Sequence, residues 1–556
     1  MVERFLHTLS APVRGLQEAA YVLALLTLAS QALALLRDRT FAHFFGASET
    51  LDLYYSAFRI PDLVFALIAS LVSAYVLIPR ITGRESGEVR ALLSQSVSFL
   101  LVAGAVLSLV LWVCMPALLA VLYPAFTDSP QFAELVLLAR LLLLQPIILG
   151  ISGIITSVTQ VHRRFTLYAL SPVLYNLGII AGAFLLYPRM GLLGVGVGVI
   201  AGACLHAAIH VPMLLEARAF PRLTLPSWSV MRLIVRDSLP RSLALSMGSL
   251  TLLALTAYAS RIAEGSVSVF TFALNLEAVP LALVGASYAV AAFPALSEHS
   301  QNADRDSFAR VLLASARSIV LWSFVFLGLV VVLRAHIVRV VLGTGAFDWD
   351  ATRLTAALLA ILVAGLVAQG LVLLFSRALY AVGRSWLPFF YQLVGSIATV
   401  ALAHVSLAYL PDEALTTLAA YLRVEQVGGV EVLLLAFALV FGQWLLATLS
   451  IVALWRTTPH LAHLLMRPLF DGLLAALAGG VATYAALYLE GGVAPLTTFA
   501  VVFTEALVAG MVGLAAAAGT LALLKNEEFS AFVNAVRLLP GLARAVPPSA
   551  GESPQS

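Results

Sequence analysis

The residues of this chain best placed to do chemistry are charges embedded in apolar sequence. The densest group is Arg37, Asp38 and Arg39, followed by Asp52, Arg59 and Asp62. Ionisable groups inside a membrane are costly, so each is a functional candidate by default. Arg59 and Asp62 stand at i,i+3, which lets them neutralise each other on one helix face. The alternative is a cationic cavity wall, because a guanidinium gives planar, permanently charged recognition of phosphate. Ile60-Pro61 interrupts the backbone hydrogen-bond ladder here, a break tolerated where backbone faces protein or a watery cavity. Arg140 and Glu277 are the other lone charges within apolar runs. Arg140 lies several residues inside its run, too deep for easy snorkelling. Glu277, in Asn275-Leu-Glu-Ala-Val-Pro280, belongs to a polar, bent segment and is a candidate acceptor for a proton or cation.

Other chemistry finds little support. His206 and His210 have the i,i+4 spacing of two metal ligands, but no carboxylate or third ligand completes the pattern. They read as helix-end histidines near the inner surface, and His460 and His463 read as loop histidines. Cys114 and Cys204 both lie in apolar segments, which excludes a disulfide framework and a cysteine metal site. No Gly-rich phosphate loop, nucleophile elbow or pair of catalytic carboxylates stands out. The expectation is a protein that is not an enzyme and uses no cofactor or metal.

The elements that must position these groups are membrane spans. Of 556 residues, 61% are hydrophobic and 11% charged, with mean hydropathy +0.99, against roughly half apolar and a quarter charged in soluble domains. Apolar runs long enough to cross a hydrocarbon layer of about 30 Å recur from Tyr21 to Leu524. Bounded by charge, Gly and Pro, they predict about fourteen helices, near 19–36, 53–79, 98–122, 133–157, 165–187, 192–216, 239–260, 267–294, 314–333, 352–376, 386–410, 429–455, 468–489 and 497–524. With the amino terminus inside, 22 of the 32 basic residues fall in inside segments and 8 in outside loops, the asymmetry expected of cytoplasmic loops. Both termini are therefore predicted to be cytoplasmic. The basic residues, spread in ones to fives between apolar runs, are topology signals, and no nucleic-acid partner is expected. Arg4 and Arg14 precede the first run, which lacks a small-residue cleavage site and reads as a retained span.

Sliding the chain by about 221 residues aligns two halves in the parallel sense expected of bundles that face each other around a cavity. Val121-Leu-Tyr-Pro-Ala-Phe126 falls beside Val341-Leu-Gly-Thr-Gly-Ala-Phe347, Gly150 beside Gly370, and Arg163 beside Arg384. Six spans separate the copies. The fold class is thus all-α integral membrane, with an N-terminal lobe over 1–216 and a cytoplasmic linker over 217–238. A C-terminal lobe covers 239–455, and two further spans lie within 456–524. The segment 525–556 is expected to hold an interfacial helix, with Phe529, Phe532 and Val536 on one face, and a disordered end beyond Pro540.

At this point the chain resembles the MurJ (MviN) family of lipid II flippases, within the superfamily of multidrug and oligosaccharide-lipid exporters. The strongest piece is Leu36-Arg-Asp-Arg-Thr-Phe-Ala-His-Phe-Phe-Gly-Ala-Ser48, followed by Leu51-Asp-Leu-Tyr-Tyr-Ser-Ala-Phe-Arg-Ile-Pro61 and closing at Ile78-Pro79. Arg164-Phe with Ser171-Pro-Val-Leu-Tyr-Asn-Leu-Gly178 agrees, as do Gly345-Ala-Phe-Asp348, Ala351-Thr-Arg-Leu-Thr355 and Phe375-Ser-Arg-Ala-Leu-Tyr-Ala381. The resemblance implies fourteen spans, two lobes and an alternating-access cavity. The cargo would be an undecaprenyl-diphosphate-linked peptidoglycan precursor, carried from the inner to the outer leaflet of a bacterial inner membrane. Arg37, Asp38, Asp52 and Arg59 fall on matching positions.

The departures are equally specific. Ser30-Gln31 stands where many members have Ser-Arg, Phe65-Ala66 where they have a basic pair, Ser70 where they have an acidic residue, and Leu274-Asn275 where Asp-Arg is expected. Arg59 or Arg140 would have to supply the missing positive charge, and span eleven has no acidic residue to support the family's cation site. The expected partners are a lipid-linked glycan and membrane lipids, with a coupling cation or the membrane potential as the energy source. Three rivals remain: a flippase for another polyprenyl-diphosphate oligosaccharide, a drug exporter, and a non-transporting scaffold descended from a flippase. A membrane glycan polymerase would need catalytic charges in a large outside loop, and the outside segment 411–428 is short.

Overall fold

A computed structural model describes residues 16–72, 74–455, 461–490 and 498–534. Arg4, Arg14, His460, Val536 and the segment beyond Pro540 lie outside the described residues. Within them every regular element is helical. Among the described residues, eleven helices are long and apolar enough to cross a membrane, or twelve if the bent pair Trp349–Val363 and Leu366–Ala381 forms one span. The count of fourteen is not confirmed by this measure, which covers the described residues only. The expected first span is the helix Leu16–Phe45, and the expected second is divided into Glu49–Val64, a π-turn at Phe65–Ala69 and Ala74–Ile81; neither is among the eleven.

The proline at 61 stays inside its helix, and a π-turn follows it directly after the helix ends. The same pattern recurs in the second repeat copy, where Pro280 lies inside Ser266–Leu281 and a π-turn follows at Ala282–Ala286. Both copies thus pair an internal proline with a π-turn a few residues later.

Packing divides the chain into two compact units. One comprises Met1–Val279, Ile337–Gly365 and Gly383–Ser450; the other comprises Pro280–His336, Leu366–Val382 and Ile451–Ser556. The lobes expected from the repeat are a different division, made by sequence correspondence.

In the first unit, helices Phe165–Ala181 and Leu192–Ala208 meet through small residues. A Cβ on Gly178 would lie 2.4 Å from the Gly202 Cα, and one on Gly198 would lie 2.6 Å from the Gly182 Cα. With lipid as solvent there is little hydrophobic drive between helices, so close backbone approach at glycine supplies the attraction. An aromatic cluster adds to it: Phe41 meets Tyr54 at 4.9 Å between ring centroids, Phe45 meets Tyr187 at 4.8 Å, and Phe272 meets Phe347 at 5.7 Å.

In the second unit, Leu321, Val325 and Leu329 pack with Ala475, Ala517 and Leu521. Phe529 and Phe532 do share a face, and it rests against Trp322. The carboxylate of Asp471 is buried and accepts a 2.8 Å hydrogen bond from the Asn526 side chain.

Candidate functional site

Four helices of the first unit turn matching faces toward one another. Arg37 and Phe41 are one turn apart on Leu16–Phe45; Tyr55, Arg59 and Asp62 line one face of Glu49–Val64; Tyr175 and Ile179, and Thr271 and Asn275, repeat the i,i+4 spacing on their own helices. Together they enclose a cavity of about 300 Å³. Arg37 is bound on two sides. Its Nε and Nη2 donate to Asp38 Oδ1 at 3.0 and 2.8 Å, and its Nη1 donates to Asn176 Oδ1 at 3.2 Å. Asn275 donates to the other oxygen of Asp38 at 3.0 Å. The residue standing where an arginine was expected therefore supports the Arg37–Asp38 pair as a neutral donor.

Arg59 is held differently. Its Nη2 donates to Thr271 Oγ1 at 3.2 Å, while its buried Nε has no hydrogen-bond partner among the described residues. Asp62 faces the same cavity, but among the described residues no ion pair joins it to Arg59. The i,i+3 spacing thus brings both side chains to the cavity without a direct ion pair.

A second cavity, of about 640 Å³, is lined by Ser30, Gln31, Thr156, Gln160, Ser171, His206 and Arg241, with Phe65 and Tyr168 among its rings. Its wall is largely apolar, with Ile78, Leu149, Ala169 and Pro172 between these polar groups. His206 lies 2.7 Å from Ser152 Oγ through Nδ1, and His210 bonds Thr156 and Thr159 at 2.9 and 3.1 Å. These hydroxyls satisfy the imidazoles, and among the described residues no cluster of three potential metal ligands exists.

Beyond the smaller cavity the unit is fastened shut. Asp52, 1% exposed, accepts from the backbone N–H of Gly265 and Ser268 at 2.8 and 2.7 Å and from the Ser268 hydroxyl at 2.5 Å. It thereby serves the unpaired N–H groups at the start of Ser266–Leu281. Arg39 donates to the carbonyl of Val340 at 2.7 Å, and Ala346 N–H donates to His43 O at 3.1 Å. Gly46 and Gly345, both at positive φ, allow this approach: a Cβ on Gly46 would stand 2.4 Å from Ala346 O. Asp348 then caps the next helix through Ala351 N–H at 2.8 Å. The Phe-Gly-Ala and Gly-Ala-Phe-Asp elements are accordingly the two sides of one clasp.

The structure brings Arg37, Asp38, Arg59 and Asp62 together and sets the other candidates apart. Asp52 belongs to the clasp. Arg140 lies over the ring of Trp112, 4.1 Å from its centroid, and donates to the Trp112 carbonyl at 2.9 Å; it lines neither cavity. Glu277 is 3% exposed and lines neither cavity either. The sequence reading missed Asp471 and Glu505, buried carboxylates of the last two spans; Glu505 lies 3.9 Å from His336. It also missed Arg241, at the start of the expected span near 239–260, and the tyrosines 54, 55 and 175. The motifs Leu51–Pro61, which contains Tyr54-Tyr55, and Ser171–Gly178, which contains Tyr175-Asn176, carried a signal for the tyrosines.

A protein-family model described as lipid II flippase MurJ matches residues 41–504. Among curated proteins, the lipid II flippase MurJ of Burkholderia cenocepacia is 26% identical over 380 residues, covering 64% of this chain and 71% of that one. The probable lipid II flippase MurJ of Bdellovibrio bacteriovorus is 26% identical over 403 residues, covering 70% and 74%. Among solved structures, lipid II flippase MurJ in an inward closed conformation superposes with TM-score 0.69 at 19% identity, covering 89% of this chain and 98% of that one. An inward-facing multidrug resistance MATE transporter of the MOP superfamily gives 0.62 at 15% identity, covering 79% and 98%. This multi-pass membrane chain belongs to the lipid II flippase MurJ family.

Proposed function

We propose that this chain carries lipid II, an undecaprenyl-diphosphate-linked peptidoglycan precursor, from the inner to the outer leaflet of a bacterial cytoplasmic membrane by alternating access. The observation that carries the proposal is the pair of arginines in the 300 Å³ cavity, Arg37 braced by Asp38 and Asn176, and Arg59 with an unmet N–H donor. A diphosphate leaving water needs fixed positive charge and short charge-assisted hydrogen bonds. With both termini in the cytoplasm, the larger cavity lies toward the cytoplasm and the Asp52 clasp closes the opposite end. Transport then requires the clasp to part as the two repeat-related lobes rock. The cargo biases that equilibrium through unequal affinity for the two states, energised by a coupling cation or the membrane potential.

Gln31 and Asn275, where the family pattern expects arginine, favour a second reading, in which the cargo is another polyprenyl-diphosphate oligosaccharide. Complementation of a strain depleted of its lipid II flippase separates the two. Rescue by the unmodified chain, reduced by Arg37→Ala and Arg59→Ala at equal membrane expression, supports lipid II. No rescue by a well-expressed unmodified chain refutes it.

A further inference from the structure

Large apolar side chains lie exposed along the helix Ser86–Leu122 from Val102 to Val121, among them Val106, Leu109 and Val113. At ~1.5 Å per residue this band is about 29 Å tall, the thickness of a hydrocarbon layer. Its midpoint falls beside Trp112. That ring is itself 47% exposed, although tryptophan favours the two membrane surfaces over the centre. Arg140 lies over it, 4.1 Å from the centroid, with Nε donating to the Trp112 carbonyl at 2.9 Å. An aromatic ring and a cation that both avoid the bilayer centre thus stand together there, on the outside of the bundle.

Arg140 does not reach for a headgroup. A snorkelling side chain extends toward the membrane surface, whereas the Trp112 carbonyl and ring hold this one at their own depth. Among the described residues no carboxylate pairs with it. Glu134, on the same helix Phe132–Leu142, is committed elsewhere and accepts from the Leu192 N–H at 2.8 Å. A guanidinium is permanently charged, so this surface carries an uncompensated cation where charge is most costly. Around it the surface is apolar: Leu137 and Leu144 are exposed one turn to either side of Arg140, and Leu109 and Val113 flank Trp112. The Ser108 hydroxyl donates to the Leu143 carbonyl at 3.4 Å across the line where the helices meet. The result is a shallow apolar seam with one positive charge at its middle.

We infer that this seam docks a transmembrane helix of a partner protein that carries a carboxylate near its midpoint. The carboxylate meets the terminal nitrogens of Arg140 in a charge-assisted pair, and apolar side chains one turn above and below it pack on Leu137, Leu144 and Leu109. A lipid phosphate suits the seam less well, because the headgroup plane lies half a hydrocarbon thickness away, about 15 Å. A second copy of this chain suits it less well too. Among the described residues the span carboxylates Asp38, Asp52, Glu277, Asp471 and Glu505 are buried, and Asp62 faces the smaller cavity. Arg140 lines neither cavity, so the inference does not rest on the transport reading.

The test uses the full-length protein in phosphatidylcholine vesicles with synthetic Leu/Ala transmembrane helices of about twenty residues, association being read by energy transfer between dyes on the two. A helix with Glu at its centre should bind the unmodified protein about tenfold more tightly than one with Leu there, equivalent to ~1.4 kcal/mol. A central Lys should give no such gain, and moving the Glu two turns toward either end should abolish it. Arg140→Leu should remove the preference for Glu and Arg140→Lys should keep part of it, with unchanged thermal unfolding of both variants. Equal binding of the Glu and Leu helices by the unmodified protein overturns the inference, whatever the variants do. Loss of the preference when phosphatidylglycerol replaces phosphatidylcholine assigns the cation to a lipid phosphate instead. Energy transfer between two labelled copies of the protein that Arg140→Leu abolishes assigns the seam to self-association; either result also overturns the inference.

Discussion

Asp52 and Ser268 are joined by two hydrogen bonds, one from the serine backbone N–H at 2.7 Å and one from its hydroxyl at 2.5 Å, across 216 residues of sequence. A third bond reaches the same carboxylate from Gly265 at 2.8 Å. The arrangement is a helix cap supplied by a distant helix: the carboxylate meets both the orphan N–H groups and the positive end of the dipole of Ser266–Leu281. Such a cap is made only while the two segments touch.

Asp52→Ala should therefore loosen the clasp. Leaving buried donors unmet costs about 1–3 kcal/mol each. Amide hydrogen exchange in 262–272 should accelerate by at least about tenfold, since ~1.4 kcal/mol corresponds to a factor of ten, while exchange in the Gly178–Gly202 region stays unchanged. Undiminished protection at Gly265 and Ser268 would sink the assignment.

The glycine contacts predict a sharp contrast between neighbouring positions. A Cβ on Gly202 would stand 2.5 Å from the Tyr175 carbonyl, whereas one on Gly153 meets nothing within 4 Å. Gly202→Ala should lower the unfolding temperature through forced separation of two helices, by a strain in the range of about 1–3 kcal/mol typical of overpacking. Gly153→Ala should be neutral or slightly stabilising. Equal behaviour of the two variants would contradict the packing.

How much of this was legible in the sequence depends on whether a property is local. Charge in apolar sequence has few reasons to exist, so Arg37, Asp38, Arg59 and Asp62 stand out at once, and the structure does gather them. Spacing then suggests the wrong partner: Arg59 is one turn from Asp62 yet donates to Thr271, 212 residues away. Arg241 escapes because it stands at the entry to its span, where a basic residue reads equally well as a topology signal. Asp471 and Glu505 escape because one charge barely lowers the hydropathy of a long helix. The second span shows the converse: the sequence marks one run near 53–79, and the structure divides it into Glu49–Val64, a π-turn at Phe65–Ala69 and Ala74–Ile81.

Arg59 and Arg140 were equivalent candidates by sequence, and the structure separates them. Arg59→Ala removes a guanidinium from the cavity wall and should weaken binding of undecaprenyl diphosphate by at least about tenfold, as loss of a charge-assisted hydrogen bond does. Arg140→Ala removes a cation resting on Trp112 and should leave that affinity unchanged. Titration of both purified variants decides the matter. Comparable losses in the two would mean that the cargo reaches a surface outside both cavities.

The pair Asp471–Asn526 predicts a stability effect with no change in cargo affinity. Asp471 is 4% exposed and Asn526 is 2% exposed, and the amide supplies the 2.8 Å bond to the carboxylate, while Arg467 stands 3.9 Å away with 66% of its side chain exposed. An exposed cation at that distance is screened and contributes little. The buried amide contact matters more, because its loss leaves the carboxylate short of a donor inside the protein. Asn526→Ala should destabilise by about 1–3 kcal/mol, and Arg467→Ala by under about 1 kcal/mol. Thermal unfolding in nanodiscs ranks the two; the reverse order would show that the ion pair, and not the amide, holds the carboxyl-terminal segment to its helix.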